Sequence, residues 1–269
     1  MSRVPQTFAR LTRPALIPYL TAGDPDPGAT AHLLEALAEA GADLIELGVP
    51  FSDPMADGPV IQRAAERALR HGISLDDILD LVATFRLRHD TPVILFGYYN
   101  PFHHYGDQLA RRCAEAGVDG LLVVDLPPEE AGPLRASLAA QGLDLISLLT
   151  PTSGDDRVDA VQRVAGGFVY YVSLTGVTGA ALGDTTDLGA RVTALRARLG
   201  LPVAVGFGIA TPEQAAAVGA HADGVVVGSA LVRLIETHGG DPEGMIREVR
   251  RFLTGLRRAL DGARAAGDA

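Results

Sequence analysis

Residues 38–49 read AEAGADLIELGV, and residues 114–125 read AEAGVDGLLVVD. In both copies a helical pattern ends at a Gly, and an Asp then leads into a short apolar run. The shift between the copies fits two βα units of roughly 38 residues each, and a barrel of eight such units fits the length of the chain. This internal repeat therefore predicts a fold in which strands and helices alternate regularly.

Short apolar runs of the same kind recur along the whole chain. Val, Leu and Ile dominate them without alternating with polar residues, which is typical of parallel strands buried on both faces. Eight strands are predicted, at residues 15–22, 44–49, 92–99, 120–126, 144–150, 168–174, 202–207 and 224–228.

Amphipathic helical patterns separate these strands. They predict helices at residues 29–41, 61–71, 75–89, 107–117, 131–141, 155–165, 187–199, 211–219 and 243–264. Thr211, Pro212 and Gln214 carry the N-cap, N1 and N3 signals of a helix start. We predict one domain over residues 1–269, a single (β/α)8 TIM barrel of the α/β class with extra N-terminal and inserted helices. A doubly wound open sheet is the alternative, but no GxGxxG motif follows the first strand.

The composition excludes several mechanisms. All 23 basic residues are Arg, against 33 Asp and Glu, so the net charge is −10. Because Lys is absent, the chain cannot be a Schiff-base aldolase, carry an internal pyridoxal-phosphate aldimine or use a Walker phosphate-loop lysine. A single Cys excludes intrachain disulfides and Cys-rich zinc sites, and it fits a reducing cytoplasm. The acidic charge argues against nucleic acid as a partner, and we expect neither a signal peptide nor a membrane span.

Glu46 lies inside the second predicted strand, where a carboxylate is unexpected. Because side chains alternate along a strand, it shares one face with Leu44 and Gly48. An ionised carboxylate in apolar surroundings costs several kcal/mol unless it is paired or its pKa rises. Its position near the carboxyl end of a barrel strand, where active sites of this fold lie, favours a functional role. The alternative is a strand-end residue paired with one of the many Arg.

The next segment, PFSDPMADGP at residues 50–59, holds two further carboxylates, Asp53 and Asp57. Its Pro and Gly residues predict an ordered loop without helix. One buried carboxylate and one on a loop could move a proton at one carbon and accept a hydrogen bond elsewhere. Alternatively, Asp53 caps a turn and Asp57 is the N-cap of the following helix.

Glycine-rich segments end the last three predicted strands. They read SLTGVTGA at residues 173–180, GFG at 206–208 and GSA at 228–230. Gly lets backbone N–H groups approach an anion, and a helix start adds its dipole. Loops after strands seven and eight commonly bind phosphate in this barrel, so we predict a phosphate site, although Gly also ends strands for steric reasons. The loop 174–186 is predicted to form a mobile lid.

Four other features carry weaker signals. His103 and His104 are predicted on a loop, but adjacent His side chains diverge and a metal site is not favoured. Asp125 is interpreted as a site residue or a turn cap. Cys113 is predicted to be buried on a helix, and the Arg-rich C-terminal helix is predicted to present its charges to solvent.

The fifteen residues from Ile45 to Pro59 strongly resemble the signature of the tryptophan synthase alpha subunit family. The resemblance covers nearly the whole chain and includes YLTAGDP at 19–25, YYNP at 98–101, DLP at 125–127, GVTG at 176–179, GFGI at 206–209 and GSA at 228–230. It implies a (β/α)8 barrel lyase of tryptophan biosynthesis that cleaves indole-3-glycerol phosphate to indole and D-glyceraldehyde 3-phosphate. The fifteen-residue segment is highly specific, whereas many phosphate-binding barrels share the Gly segments.

The resemblance also implies roles for individual residues. Glu46 would be the general acid and base, Asp57 would accept a hydrogen bond from the indole N–H, and Tyr170 would lie beside the glycerol chain. Thr178 would meet Asp57 when the lid closes. The indole-pocket positions match Tyr19, Phe96, Leu122, Val124 and Phe207, and the phosphate positions match Gly179, Gly208, Gly228 and Ser229.

No cofactor and no metal are implied for this chain. The implied partner is a pyridoxal-phosphate beta subunit in a cytoplasmic α2β2 complex, with indole passing through an internal tunnel. The loop from Pro50 to Gly58 and the lid would lie toward that partner.

Two positions depart from the family pattern. Leu174 stands where many members carry Arg, and Tyr19 stands where Phe is common. Two other functions stay open on the sequence. One is a catalytically idle alpha-like subunit that activates a beta partner, and the other is a different phosphate-binding barrel enzyme, such as a sugar-phosphate isomerase.

Overall fold

The computed structural model describes residues 2–172, 185–206 and 208–263. Within these residues the strands are β1 (Ala15–Thr21), β2 (Ile45–Gly48), β3 (Val93–Gly97), β4 (Gly120–Val123), β5 (Asp144–Leu149), β6 (Val169–Val172), β7 (Val203–Gly206) and β8 (Gly224–Val227). The helices are α1 (Val4–Arg10), α2 (Pro27–Glu39), α3 (Pro59–Arg70), α4 (Leu75–Arg86), α5 (Tyr99–Tyr105), α6 (Leu109–Ala116), α7 (Gly132–Ala140), α8 (Asp155–Val164), α9 (Thr185–Leu199), α10 (Pro212–Gly219), α11 (Ser229–His238) and α12 (Pro242–Ala263).

The strands form a closed parallel barrel in which each pairs with its neighbours in sequence order and β1 pairs with β8. Tyr19 of β1 is the register partner of Glu46 of β2, and Glu46 in turn is the partner of Ile94 of β3. All strands therefore end at one rim, and the loops that follow them meet there. The predicted TIM barrel is confirmed, and the doubly wound open sheet is wrong.

The strands are apolar without alternation because both of their faces are buried. One cluster of side chains, with Ile17, Leu44 and Ile94 among them, fills the barrel interior. A second cluster, with Leu16 and Ile45, lies between the strands and the surrounding helices. Each fully buried side chain of this size contributes about 1.5–3 kcal/mol relative to an exposed one, so both faces favour the barrel.

The helices predicted from the amphipathic pattern are present in the described residues. Thr211 accepts a hydrogen bond from the Gln214 N–H, and the Gln214 side chain returns to the Thr211 N–H, which confirms the predicted helix start. Helix α1 is the extra N-terminal helix, and α4 is inserted between α3 and β3. The amphipathic pattern did not predict α5 and α11, because both begin directly at strand ends without a turn signal.

Aspartates hold the amino ends of several strands. Asp43 accepts the backbone N–H of Leu16 at 2.9 Å, and Asp119 accepts that of Val93 at 3.0 Å. Asp223 binds the first N–H of β7 in the same way. Asp43 and Asp119 are the aspartates of the internal repeat, so the repeat encodes one recurring contact at the end of the barrel opposite the strand C-termini.

Helix α12 is only partly the solvated helix that the sequence predicted. Arg250, Arg251 and Arg258 are exposed, as expected. Arg257 is buried, however, and its guanidinium donates to Asp43 at 2.8 Å, because the helix packs across the amino end of β1. None of the helices in the described part of the chain combines the length and the apolar character that crossing a membrane requires.

Candidate active site

A cavity of about 750 Å³ opens at the carboxyl ends of the strands. Sequence-predicted residues from seven βα units converge on it. Those that line it are Tyr19, Glu46, Asp57, Phe96, Val124, Tyr170, Gly208, Gly228 and Ser229. Thr178, Gly179 and Phe207, together with most of the expected lid and Leu174, lie outside the described residues.

Leu122 is the exception among the described candidates. It does not line the cavity but is fully buried in the interior cluster, where it is the register partner of Phe96. The side chains of β4 alternate, so the next inward position toward the rim is Val124, which does reach the cavity. Leu122 therefore lies one step deeper than the cavity surface, and its place in an indole pocket stays a prediction.

Glu46 projects into the cavity from β2 and is 1% exposed. Neither carboxyl oxygen has a hydrogen-bond partner among the described residues, and no described Arg pairs with it. The alternative, in which Glu46 pairs with an Arg at the strand end, is therefore wrong within the described part of the chain. Burial without a compensating charge raises the pKa of Glu46 to about 8, so the group holds its proton at neutral pH. A buried acid of this kind can give a proton to a substrate atom and take one back.

Asp57 reaches the same cavity from the loop between β2 and α3. Its Oδ2 accepts a hydrogen bond of 3.1 Å from the Tyr98 hydroxyl. Burial raises the pKa of Asp57, and the hydrogen bond from Tyr98 opposes that rise. The alternative of an N-cap is wrong, because Gly58 occupies the N-cap position of α3 and Asp57 turns toward the cavity instead.

Two tyrosines flank the carboxylates. The Tyr19 hydroxyl, the extra polar group in a place where Phe is common, lies 3.2 Å from the Thr21 hydroxyl. Its ring meets Phe96 edge to face at 5.3 Å between centroids. Tyr170 projects from β6 into the same cavity. Burial raises the pKa of both phenols, so each keeps its proton and can serve as a donor.

The rim at β7 and β8 has the features of an anion site. Gly208, just beyond β7, has a φ of 60°, a left-handed conformation that favours Gly. Because Gly has no side chain, an anion can approach the backbone closely here. Gly228 is the N-cap of α11, and Ser229 is its first residue. The first N–H groups of a helix lack partners within the helix and lie at the positive end of its dipole. The missed helix α11 therefore strengthens the predicted phosphate site, because it supplies the helix start that this site needs.

Sequence reasoning did not assign a site role to several residues of this region, and three of them bear on its geometry. Tyr98 holds Asp57, Leu148 lines the cavity from β5, and Arg157 of α8 reaches the cavity while pairing with Glu129 at 2.9 Å. Leu148 could have been found, because it follows the interior position Ile146 by two residues. The only sequence signal for Arg157 is its position as a charged residue in the first turn of a helix that follows a strand.

The weaker candidates lie away from the chemistry. His103 and His104 lie on α5 and not on a loop, because the helix starts directly after Tyr98. Among the residues described, no group of three or more His, Cys, Asp or Glu is placed to hold a metal ion. Asp125 accepts the backbone N–H of Tyr99 at 2.6 Å, so it caps α5 from the next strand end. Cys113 is buried on α6, as predicted.

Comparison with known proteins agrees with this geometry. The sequence model of the family described as Tryptophan synthase alpha chain matches residues 6–261. The tryptophan synthase alpha chain of Burkholderia thailandensis is 55% identical over 268 residues, which are 98% of each chain. That of Geobacter sulfurreducens is 54% identical over 264 residues, covering 97% of this chain and 99% of the relative. The crystal structure of tryptophan synthase subunit alpha from Legionella pneumophila superposes with a TM-score of 0.91 at 44% identity, over 97% of this chain and 99% of that one.

Proposed function

This chain belongs to the tryptophan synthase alpha chain family, and we propose that it is the carbon–carbon lyase that cleaves indole-3-glycerol phosphate to indole and D-glyceraldehyde 3-phosphate. One observation carries the proposal. Glu46 is buried, unpaired among the described residues and protonated at neutral pH, and it lines the same cavity as Asp57. Such a pair suits a cleavage that begins with proton transfer to carbon.

The proton cycle needs only Glu46. The protonated carboxyl of Glu46 gives its proton to indole C3, which turns the ring into an iminium-like cation. The carboxylate then takes the proton of the hydroxyl on the adjacent side-chain carbon. The bond between that carbon and C3 breaks, its electron pair restores the aromatic ring, and the former hydroxyl becomes the aldehyde. Glu46 ends protonated, so the cycle is balanced, and such acid–base steps contribute about 10²–10⁴-fold in rate.

Asp57 stabilises the charge that this cycle creates. When C3 is protonated, the ring nitrogen becomes positively charged and its N–H becomes a stronger donor. A carboxylate that accepts this N–H stabilises the cation more than the neutral substrate, which is the condition for catalysis. Tyr170, a protonated phenol that lines the cavity, is suited to bind the glycerol oxygens.

The phosphate would bind at the opposite side of the cavity. Gly208, Gly228 and Ser229 offer backbone N–H groups, a helix start and a hydroxyl. Anchoring the phosphate there and the ring near Asp57 would place the reacting carbon beside Glu46. The chain needs no cofactor for this step, because the protonated indole ring itself takes up the electrons that a lysine imine or a metal ion receives in other aldolases.

We further propose that the chain acts in the cytoplasm with a tryptophan synthase beta subunit in an α2β2 complex. Family membership supports this, and a related structure is described as the tryptophan synthase complex from Pyrococcus furiosus. Pyridoxal phosphate would belong to the beta subunit, since this chain has no Lys to hold it as an imine. Indole would then pass directly to the partner.

An indole-release assay tests the lyase function. Purified chain is incubated with indole-3-glycerol phosphate, alone and with a beta subunit, and indole and aldehyde are measured together. Equal amounts of the two products are expected. Activation of the beta subunit without indole release would instead indicate an idle alpha-like subunit. Turnover of a sugar phosphate but not of indole-3-glycerol phosphate would indicate a different phosphate-binding enzyme.

A further inference from the structure

Tyr98 lies between the barrel and the loop that carries Asp57. It follows β3 directly and is only 3% exposed. Its ring lies against Phe51 of the same loop, with 5.4 Å between ring centroids. Tyr98 is also the N-cap residue of α5, whose first N–H is held by Asp125. The phenol therefore has a defined position that is set by the barrel rather than by the loop.

The Tyr98 hydroxyl contacts two consecutive residues of the loop. It accepts a hydrogen bond of 3.0 Å from the Ala56 N–H and donates one of 3.1 Å to Asp57 Oδ2. A hydroxyl has one proton, and the Ala56 N–H already supplies a donor. The proton of Tyr98 must therefore point at Asp57. Burial raises the pKa of Tyr98 to about 12, so this donor keeps its proton at neutral pH.

The rest of the loop provides little attachment to the barrel. Hydrogen bonds from the Met55 and Asp57 N–H groups to Asp53 and Pro54 shape the loop internally, and Met55 is 86% exposed. The Gln62 side chain ties the loop to α3 through backbone carbonyls only. Among the described residues, Oδ1 of Asp57 accepts no hydrogen bond, so that oxygen stays open toward the cavity.

We propose that Tyr98 is a positioning residue that holds Asp57 by one carboxylate oxygen and leaves the other for the ring N–H of the substrate. This inference rests on the proposed lyase function and deepens it. Tyr98 would touch no substrate atom. It would act by keeping Asp57 in the geometry that the cationic ring requires, and by favouring the ionised form of that carboxylate.

The Tyr98→Phe variant tests this role, because it keeps the ring and its contact with Phe51 but removes the hydroxyl. We expect kcat for indole release to fall about tenfold to a hundredfold, as is typical when a catalytic group loses its alignment, with a smaller change in KM. The matched control is Tyr99→Phe, which removes the neighbouring phenol hydroxyl on α5. Tyr99 stacks on His103, and we expect the kcat of this control to equal that of the unmodified chain.

A pH profile separates positioning from simple structural support. The hydrogen bond from Tyr98 lowers the pKa of Asp57, so its removal should shift the acidic limb of kcat/KM to higher pH. The other titratable groups that line the same cavity are Tyr19 from β1, Glu46 from β2, Arg157 from α8 and Tyr170 from β6. None of them is altered in Tyr98→Phe, and Glu46 governs the opposite, basic limb. The shift of the acidic limb alone is therefore the expected signature.

Phe51→Leu provides a second variant that leaves the hydroxyl in place and weakens only the ring contact. If this variant lowers kcat as much as Tyr98→Phe and neither moves the acidic limb, Tyr98 is a packing residue and the inference is wrong. Unchanged kcat in Tyr98→Phe would overturn it as well. Absence of indole release from the unmodified chain would instead contradict the proposed function, so the two failures are distinguishable.

Discussion

The Tyr170 hydroxyl occupies the place where a Cβ on Gly206 would stand. The two residues are neighbours across β6 and β7, and both line the cavity. The importance of Gly206 therefore lies less in backbone flexibility than in its missing side chain, which leaves room for the Tyr170 phenol. Tyr19 and Gly48 repeat this relationship between β1 and β2, beside Glu46.

Replacing Gly206 with Ala is expected to displace Tyr170. The added methyl group would overlap the phenol, and overpacking of this kind typically costs about 1–3 kcal/mol. We expect lower thermal stability and a marked loss of indole release, measured by calorimetry and a steady-state assay. Gly132→Ala is the control, because an added Cβ there meets nothing within 4 Å. Equal behaviour of the two variants would show that Tyr170 can move without consequence.

Glu46 should make the folded state less stable as the pH rises. Its pKa is raised from 4.5 to about 8 by burial, so the folded state binds a proton that the unfolded chain has lost. The contribution of Glu46 to stability is fully present below pH 4.5 and is lost as the pH rises toward 8, by about 1.4 kcal/mol per pKa unit at most. Glu46→Gln removes this titration. Denaturant unfolding gives the free energy of unfolding of both chains at pH 5 and pH 8. Relative to the unmodified chain, Glu46→Gln should be more stable at pH 8 than at pH 5. A difference between the two chains that is the same at both pH values would contradict a raised pKa.

The same proton sets the basic limit of activity. Because Glu46 must begin protonated, kcat/KM should fall as the pH rises through about 8. The acidic limit belongs to Asp57, whose carboxylate must be ionised to accept the ring N–H. A profile of kcat/KM against pH with substrate well below KM reports both limits. A plateau that extends well above pH 9 would show that the protonated form of Glu46 is not required.

Asp119 should affect stability and not chemistry. It is fully buried at the amino end of the barrel, pairs with Arg3 and Arg86, and binds the Val93 N–H. Asp119→Ala leaves the Val93 N–H without its acceptor and removes the carboxylate that faces Arg3 and Arg86. Removal of one partner from a buried ion pair costs about 3–5 kcal/mol. We expect a large drop in the free energy of unfolding, with kcat retained at a temperature where the variant is folded.

The exposed Asp90 supplies the control for that experiment. It also faces Arg3, at 3.8 Å, but its side chain is 99% exposed. Asp90→Ala should change the free energy of unfolding by less than about 1 kcal/mol, as is usual for surface pairs. Similar losses in both variants would mean that burial does not decide the strength of these pairs.

The sequence predicted the barrel well because its signals were local. Each strand carries its own apolar run, and the repeated Asp43 and Asp119 mark equivalent strand starts. Glu46 could be singled out because a carboxylate inside an apolar strand conflicts with its surroundings. The Ile45–Pro59 segment then placed Asp57 in the same site through the resemblance to the family.

What the sequence could not predict depends on contacts between distant segments. The hydrogen bond from Tyr98 to Asp57 joins residues from different βα units, and nothing local distinguishes Tyr98 from Tyr99. The depth of Leu122 below the cavity surface could not be predicted, because the depth of a strand position depends on register, which alternation alone does not set. Helices α5 and α11 were not predicted because they start at strand ends without a turn signal between strand and helix.

Indole release by the Glu46→Gln chain is the most direct test of the account. Gln matches Glu in shape but cannot cycle a proton, so indole release from indole-3-glycerol phosphate should fall by about 10²–10⁴-fold or more, while the variant keeps its fold. Circular dichroism and thermal unfolding of the same sample establish that the fold is intact. A folded Glu46→Gln chain that releases indole at the rate of the unmodified chain would contradict the assignment of Glu46 as the acid and base.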